Sequence, residues 1–188
     1  MTDKRQRILA AALQLFCQNG FQNTSTAAIS KQAGVATGTL FLYFKSKDEL
    51  INSLYKETKN AFAGYVQQGI NAEATVKTQL LQSWRNAANW ALEHVNHFRF
   101  LAMFGNSPFI ASLTKEEAAN EFIFLQDLIA KAVTEEWVTT IDLDLFLALF
   151  SGQLHATVSY LNQHAGRVDK DSAIQQAFDV FIKGISRH

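Results

Sequence analysis

Apolar residues recur at helical spacing almost from the start of the chain. Ile8, Ala12, Leu15 and Phe16 fall on one face of a helix, and Gly20 followed by Phe21 has the form of a glycine stop with its apolar contact, so this helix is expected to end near Asn19. The Thr24-Ser25-Thr26 cluster supplies hydroxyls that can cap exposed amides. It predicts a short helix carrying Ala27, Ile29 and Ala33 toward a core and broken by Gly34. After the turn Gly34-Val35-Ala36, Thr37 is the expected cap of a second short helix holding Leu40, Phe41 and Phe44. Ser46-Lys47-Asp48-Glu49 has the pattern of a capping box and launches a long helix to about Gln68.

Further along, Val76, Leu80, Trp84, Ala88, Ala91 and Val95 mark one amphipathic helix, and the phenylalanine-rich segment through Phe104 marks a shorter one, closed by Gly105 to Pro108. Thr114 to Glu117 is a second capping box, after which Phe122, Gln126, Ile129 and Val133 trace one face. Two last helices are expected from about Asp142 to Gln163 and from about Lys170 to Ile185. Proline occurs once, and the nine glycines mostly punctuate these segments. The pattern predicts an all-α protein of about nine helices, with no internal repeat and no low-complexity tract.

Composition removes several classes. Of 188 residues, 48% are hydrophobic and 18% charged, which excludes a disordered chain. No run approaches the roughly 18 apolar residues of a membrane span, and the N-terminus is charged at Asp3, Lys4, Arg5 and Arg7, so the expected location is the cytoplasm. The single Cys17 cannot form an intrachain disulfide or a cysteine-rich zinc site, and beside Leu13 and Phe16 it reads as a small core residue. Net charge is zero but uneven. Up to Leu50, Lys4, Arg5, Arg7, Lys31, Lys45 and Lys47 oppose only Asp3, Asp48 and Glu49, a surplus of three positive charges that the remainder cancels. A polyanion would dock at the positive end.

Two short helices joined by a glycine-containing turn form the unit that sets its second helix into the major groove of DNA while the first crosses the backbone. Ala33 and Gly34 permit close approach, and Val35 can fill the wedge. The series Gly20-Phe21, Thr24-Ser25-Thr26, Ile29, Ala33-Gly34-Val35, Gly38-Thr39-Leu40 and Tyr43-Phe44, continued by Lys45-Ser46-Lys47-Asp48-Glu49-Leu50, strongly resembles the TetR family over roughly the first quarter of the chain.

That resemblance implies a helix-turn-helix DNA-binding domain at 1–48 and a helical effector-binding and dimerisation domain at 49–188. It places Thr37, Gly38, Thr39, Leu42 and Tyr43 at the DNA surface, with Thr26 and Lys47 beside the phosphates. Their chemistry agrees, since hydroxyls, helix-end amides and an ammonium bind phosphate, and a methyl or isobutyl group can meet a thymine methyl. Position 41 often holds tyrosine in that family. Here it is Phe41, which on burial habits is expected in the core.

In the C-terminal part, Leu145 to Phe150 is apolar around the whole helix, so a second covering surface is expected. The last helix carries the stripe Ile174, Ala177, Phe178, Phe181, Ile182 and Ile185. These two helices are the candidate seam of a homodimer, as the resemblance also implies. Trp84, Phe104, Phe122 and Trp137, with Gln126 and His155 as polar groups, are candidates for a pocket taking an apolar or aromatic small-molecule effector. A regulator without an effector stands beside that reading. The expected partner is double-stranded operator DNA, released on effector binding. No cofactor is expected, nor an enzyme: His94 and His97, spaced by three, are the histidine pair on offer, and the sequence around them shows no apparent set of metal ligands or catalytic groups.

Overall fold

The computed structural model describes residues 3–105, 107–111 and 122–186. Among them are nine helices: α1 (Lys4–Asn19), α2 (Thr26–Ala33), α3 (Thr37–Tyr43), α4 (Lys47–Val66), α5 (Val76–Glu93), α6 (Val95–Phe104), α7 (Ile123–Thr134), α8 (Leu143–Gln163) and α9 (Lys170–Ile185). The fold is all-α, with one isolated bridge between Val138 and Ser186 among the described residues. No helix among them is long and apolar enough to cross a membrane. The Thr114–Glu117 capping box lies outside the described residues.

The local signals act largely where the sequence puts them. Gly20 closes α1 at φ +75°, and Phe21 is buried behind it. Ser25 caps α2, its Oγ accepting from the Ala28 amide at 3.1 Å. Asp142 and Asp169 cap α8 and α9 by accepting from the amides of Leu145 and Ser172. Three details differ. Ala36, not Thr37, is the cap of α3 and offers no side-chain acceptor, so Thr37 is the first helical residue. Ser46 Oγ accepts from the Glu49 amide, but Glu49 returns to the Lys45 amide, one residue before the expected partner, at 2.7 Å. Val95 starts α6 instead of ending α5, because the backbone breaks at His94 (φ −119°, ψ 51°).

The chain forms two compact units, one from residues within 1–61 and 94–120, the other from residues within 62–93 and 121–188. The first has a core of Ile8, Ala12, Phe16, Ile29, Leu40, Phe44, Leu50, Ile51, Leu54, Phe100, Phe104 and Ile110 among others. This core therefore draws on α4, and on α6, which packs against α1, as well as on the helix-turn-helix. Cys17 lies in this core and its thiol donates to Asn96 O. Burial pushes that thiol up, against a smaller opposing pull from Arg99.

The second unit is organised around Trp84 of α5. Its ring is fully buried, edge-on to Phe150 and stacked with Phe181 at 6.0 Å, and its Nε1–H donates to Ile174 O at 2.9 Å. An indole enters a core at low cost when its one donor is satisfied in this way. At the other end of α9, Thr139 donates from both its amide and its hydroxyl to Ile185 O.

Candidate nucleic-acid interface

The turn between α2 and α3 is built on Gly34, which takes the left-handed conformation (φ +63°, ψ 41°) that a β-carbon disfavours. The Val35 amide returns to Ser30 O at 3.0 Å, and Val35 packs, half-buried, against the core. Arg7 of α1 reaches across and donates to the carbonyls of Ala33 and Gly34, the exposed acceptors at the end of α2.

Leu40 faces inward and is fully buried, so the opposite face of α3 is left open. On it Leu42 is 84% exposed, Phe41 45% and Tyr43 39%, with Thr37 and Gly38 exposed and Thr39 half-buried. Phe41 thus does not enter the core as expected: Leu40 and Phe44 fill the inward positions of this short helix, and Phe41 is turned outward. Thr26, the first residue of α2, is half-buried. Residues 26, 37, 38, 39, 42 and 43 all lie on the two short helices.

Lys47 has a different environment from a side chain held out to solvent. Its Nζ donates to Phe21 O at 2.9 Å and to Thr24 O at 3.0 Å, and stands 4.1 Å over the Phe21 ring. Arg5 is likewise engaged, paired with Glu57 and placed over the Phe44 ring. Three of the six N-terminal cations, Arg5, Arg7 and Lys47, therefore serve the protein's own acceptors. Lys4, Lys31 and Lys45 are exposed.

The effector candidates are divided between the two units. Trp84 is locked in the second unit's core, whereas Phe104 belongs to the first, its ring tilted against those of Phe16 and Phe100. Phe122 lies against Phe62, itself beside Trp90. Gln126 and Trp137 are half-buried, and His155 is on an exposed face of α8. A groove of about 490 Å³ runs between α8 and α9, lined by residues such as Gln153, Thr157, Tyr160, Ser172 and Gln176, and includes none of the six. Among the described residues no three His, Cys, Asp or Glu side chains cluster as metal ligands.

A left-handed glycine turn between two short helices, with the second presented to solvent, has the geometry of a helix-turn-helix. Residues 8–54 match the family model of the bacterial regulatory proteins of the tetR family. A TetR-family transcription regulator from Shewanella sp. PV-4 superposes with a TM-score of 0.91 at 30% identity, covering 99% of this chain and 100% of that one. The fatty acid metabolism regulator protein of Bacillus subtilis is 34% identical over 110 residues, 58% of this chain and 52% of its own length. The chain thus spans about half the length of that curated relative. FadR of Bacillus subtilis, solved in complex with stearoyl-CoA, shares the fold at a TM-score of 0.75 and 23% identity, over 96% of this chain and 98% of its own. The chain belongs to the TetR family of bacterial regulatory proteins.

Proposed function

We propose that this regulator binds a roughly palindromic operator as a homodimer, represses from it, and is released by a small molecule. DNA binding is assigned to residues 1–48, and effector binding and dimerisation to residues 49–188. The observation that carries the reading is the open face of α3, where Leu42 projects almost free of its own protein beside Phe41 and Tyr43. An isobutyl group so exposed is costly in water unless a partner covers it, and the partner a recognition helix meets is the major-groove base edge. Thr37, Gly38, Thr39 and Leu42 are the proposed base-edge and groove contacts. Tyr43, Thr26 and Lys47 are the proposed phosphate neighbours.

The dimer seam is assigned to α8 and α9. Leu145, Leu149 and Tyr160 on α8 and Val180 on α9 are exposed, with small Ala148, Gly152, Ala156 and Ser159 between them on α8. The earlier seam stripe changes here: Ile174, Phe178, Ile182 and Ile185 are buried within their own unit, so the outward residues of the same helices take their place. Two protomers would hold two copies of α3 about one DNA turn apart. A ligand that favours a different spacing lowers affinity, with a coupling of typically about 1–3 kcal/mol.

The effector is read as apolar or aromatic. The likeness to a fatty acid metabolism regulator and to a fold solved with stearoyl-CoA makes long-chain acyl-CoA thioesters the first compounds to assay. A regulator without a small-molecule effector is the second reading, favoured by the close packing of Trp84. Selection from random duplex DNA with the purified protein, at stated salt, tests the assignment. Recovery of an inverted repeat supports it, and recovery of no enriched sequence by folded protein rejects it. Release of the selected duplex by an acyl-CoA would exclude the effector-free reading.

A further inference from the structure

α2 begins from the short stretch Phe21 to Thr24, and whatever fixes that stretch sets where the helix-turn-helix stands. Thr24 is buried, its hydroxyl donating to Gly20 O at 2.7 Å, a local anchor. α1 holds the stretch too, through Leu15 O and the Phe16 ring, and two further anchors come from beyond the helix-turn-helix. Lys47, at the start of α4, donates to both Phe21 O and Thr24 O. The ring of Phe109, beyond the end of α6, stacks on the Phe21 ring with centroids 4.2 Å apart and planes 24° apart.

The segment 107–111 that carries Phe109 is itself held down. Ile110 is buried in the same core. Asn52 of α4 grips its backbone twice, Oδ1 accepting from the Ala111 amide at 2.8 Å and Nδ2 donating to Phe109 O at 3.1 Å. Ser107 Oγ accepts from the Phe109 amide at 3.1 Å. A side chain that satisfies an amide and a carbonyl of one loop at once fixes that loop's register.

We propose that Phe109, Asn52 and Lys47 are positioning residues of the DNA-binding surface: together they fix the Phe21–Thr24 stretch from which α2 starts, so that operator affinity depends on segment 107–111 being docked against Phe21. This rests on the DNA-binding reading above. Neither Phe109 nor Asn52 needs to touch DNA for the effect, and the anchor at Phe109 lies far along the chain from the helices that would read the operator.

The test uses the full chain, with the duplex that the wild-type protein recovers from random DNA as the probe. Phe109→Ala and Asn52→Ala are expected to weaken binding about tenfold while leaving the slope of log affinity against log salt unchanged, because no phosphate contact is removed. Phe109→Tyr keeps the stacked ring and is expected to stay within about threefold of wild type. In the DNA-free protein, Phe109→Ala should speed amide exchange at residues 21–29 roughly tenfold and leave α8 and α9 unaltered. Unchanged affinity in both alanine variants overturns the proposal, as does exchange that rises evenly through the whole first unit. If the wild-type chain recovers no duplex, the DNA-binding reading fails, and local against even exchange still decides the positioning role.

Discussion

The guanidinium of Arg7 donates to Gly34 O at 2.8 Å, so the first helix holds the turn that separates the two short helices. A β-carbon built on Gly34 would lie 2.6 Å from Arg7 Nη2, and the residue's φ of +63° is unfavourable to any L side chain. Gly34→Ala is expected to lower stability by about 1–2 kcal/mol from the backbone conformation alone, with Arg7 displaced in addition. Urea unfolding of the two single variants and the double variant checks this. Gly34→Ala should cost less in an Arg7→Ala background, and strict additivity would show that the two residues are not coupled.

The open face of α3 gives a second expectation. If Leu42 covers a thymine methyl, uracil in place of that thymine should weaken wild-type binding about fourfold, the worth of one buried methyl at ~0.8 kcal/mol. Leu42→Ala should lose this sensitivity. Tyr43→Phe should weaken binding evenly across sequences, and Thr39→Ala should change preference at one position per half-site. Competition binding with substituted duplexes measures all four, and a Leu42→Ala protein as sensitive to uracil as wild type would remove Leu42 from base reading.

Val180 is 66% exposed on α9, in a position that a second protomer is proposed to cover. Val180→Glu would bury a carboxylate in that seam and should yield monomers by sedimentation at micromolar concentration, with operator affinity down about tenfold or more, that is ~1.4 kcal/mol or above. Stability of the isolated protomer should change little, since the side chain is mostly exposed. A variant that stays dimeric would move the seam elsewhere.

Burial lowers the His97 pKa below its ordinary value of 6.5, and the nearby charge of His94 lowers it further. The neutral ring is therefore favoured in the folded state, and unfolding takes up a proton. The stabilising contribution is present above the ordinary value and lost as pH falls through it toward the depressed folded one. Urea midpoints measured from about pH 7.5 to 5 should fall on the acid side, and less so in His97→Gln. Equal slopes for the two proteins would show that His97 carries none of the dependence.

Much of the site was legible because its signals are local. Gly34 at a turn, Ser25 ahead of a short helix and the apolar spacing of Leu40 and Phe44 each act within a few residues. Lys47 shows the limit of such signals. Its charge and its place at a helix start point to phosphate, but its nearest acceptors are carbonyls of a stretch 23 and 26 positions earlier, which no local pattern reveals. Phe41 shows another: a phenylalanine's habit is burial, and here Leu40 and Phe44 fill the inward positions. Asn52, Arg7 and Phe109 carry no sequence signal for the roles they take.

By itself the sequence determined the helices, the boundaries of all but the start of α7 to within a few residues, the glycine turn and the family, because periodicity, caps and turn residues are properties of contiguous segments. Tertiary structure alone decided which aromatic rings are core, which face of α8 and α9 is left outward, and that the first unit's core draws on α4 and α6 as well as on residues 1–48. The Trp84–Ile174 hydrogen bond spans 90 positions. An amphipathic helix specifies that one face is buried, but only packing supplies the surface against which it is buried and the acceptors its polar groups find.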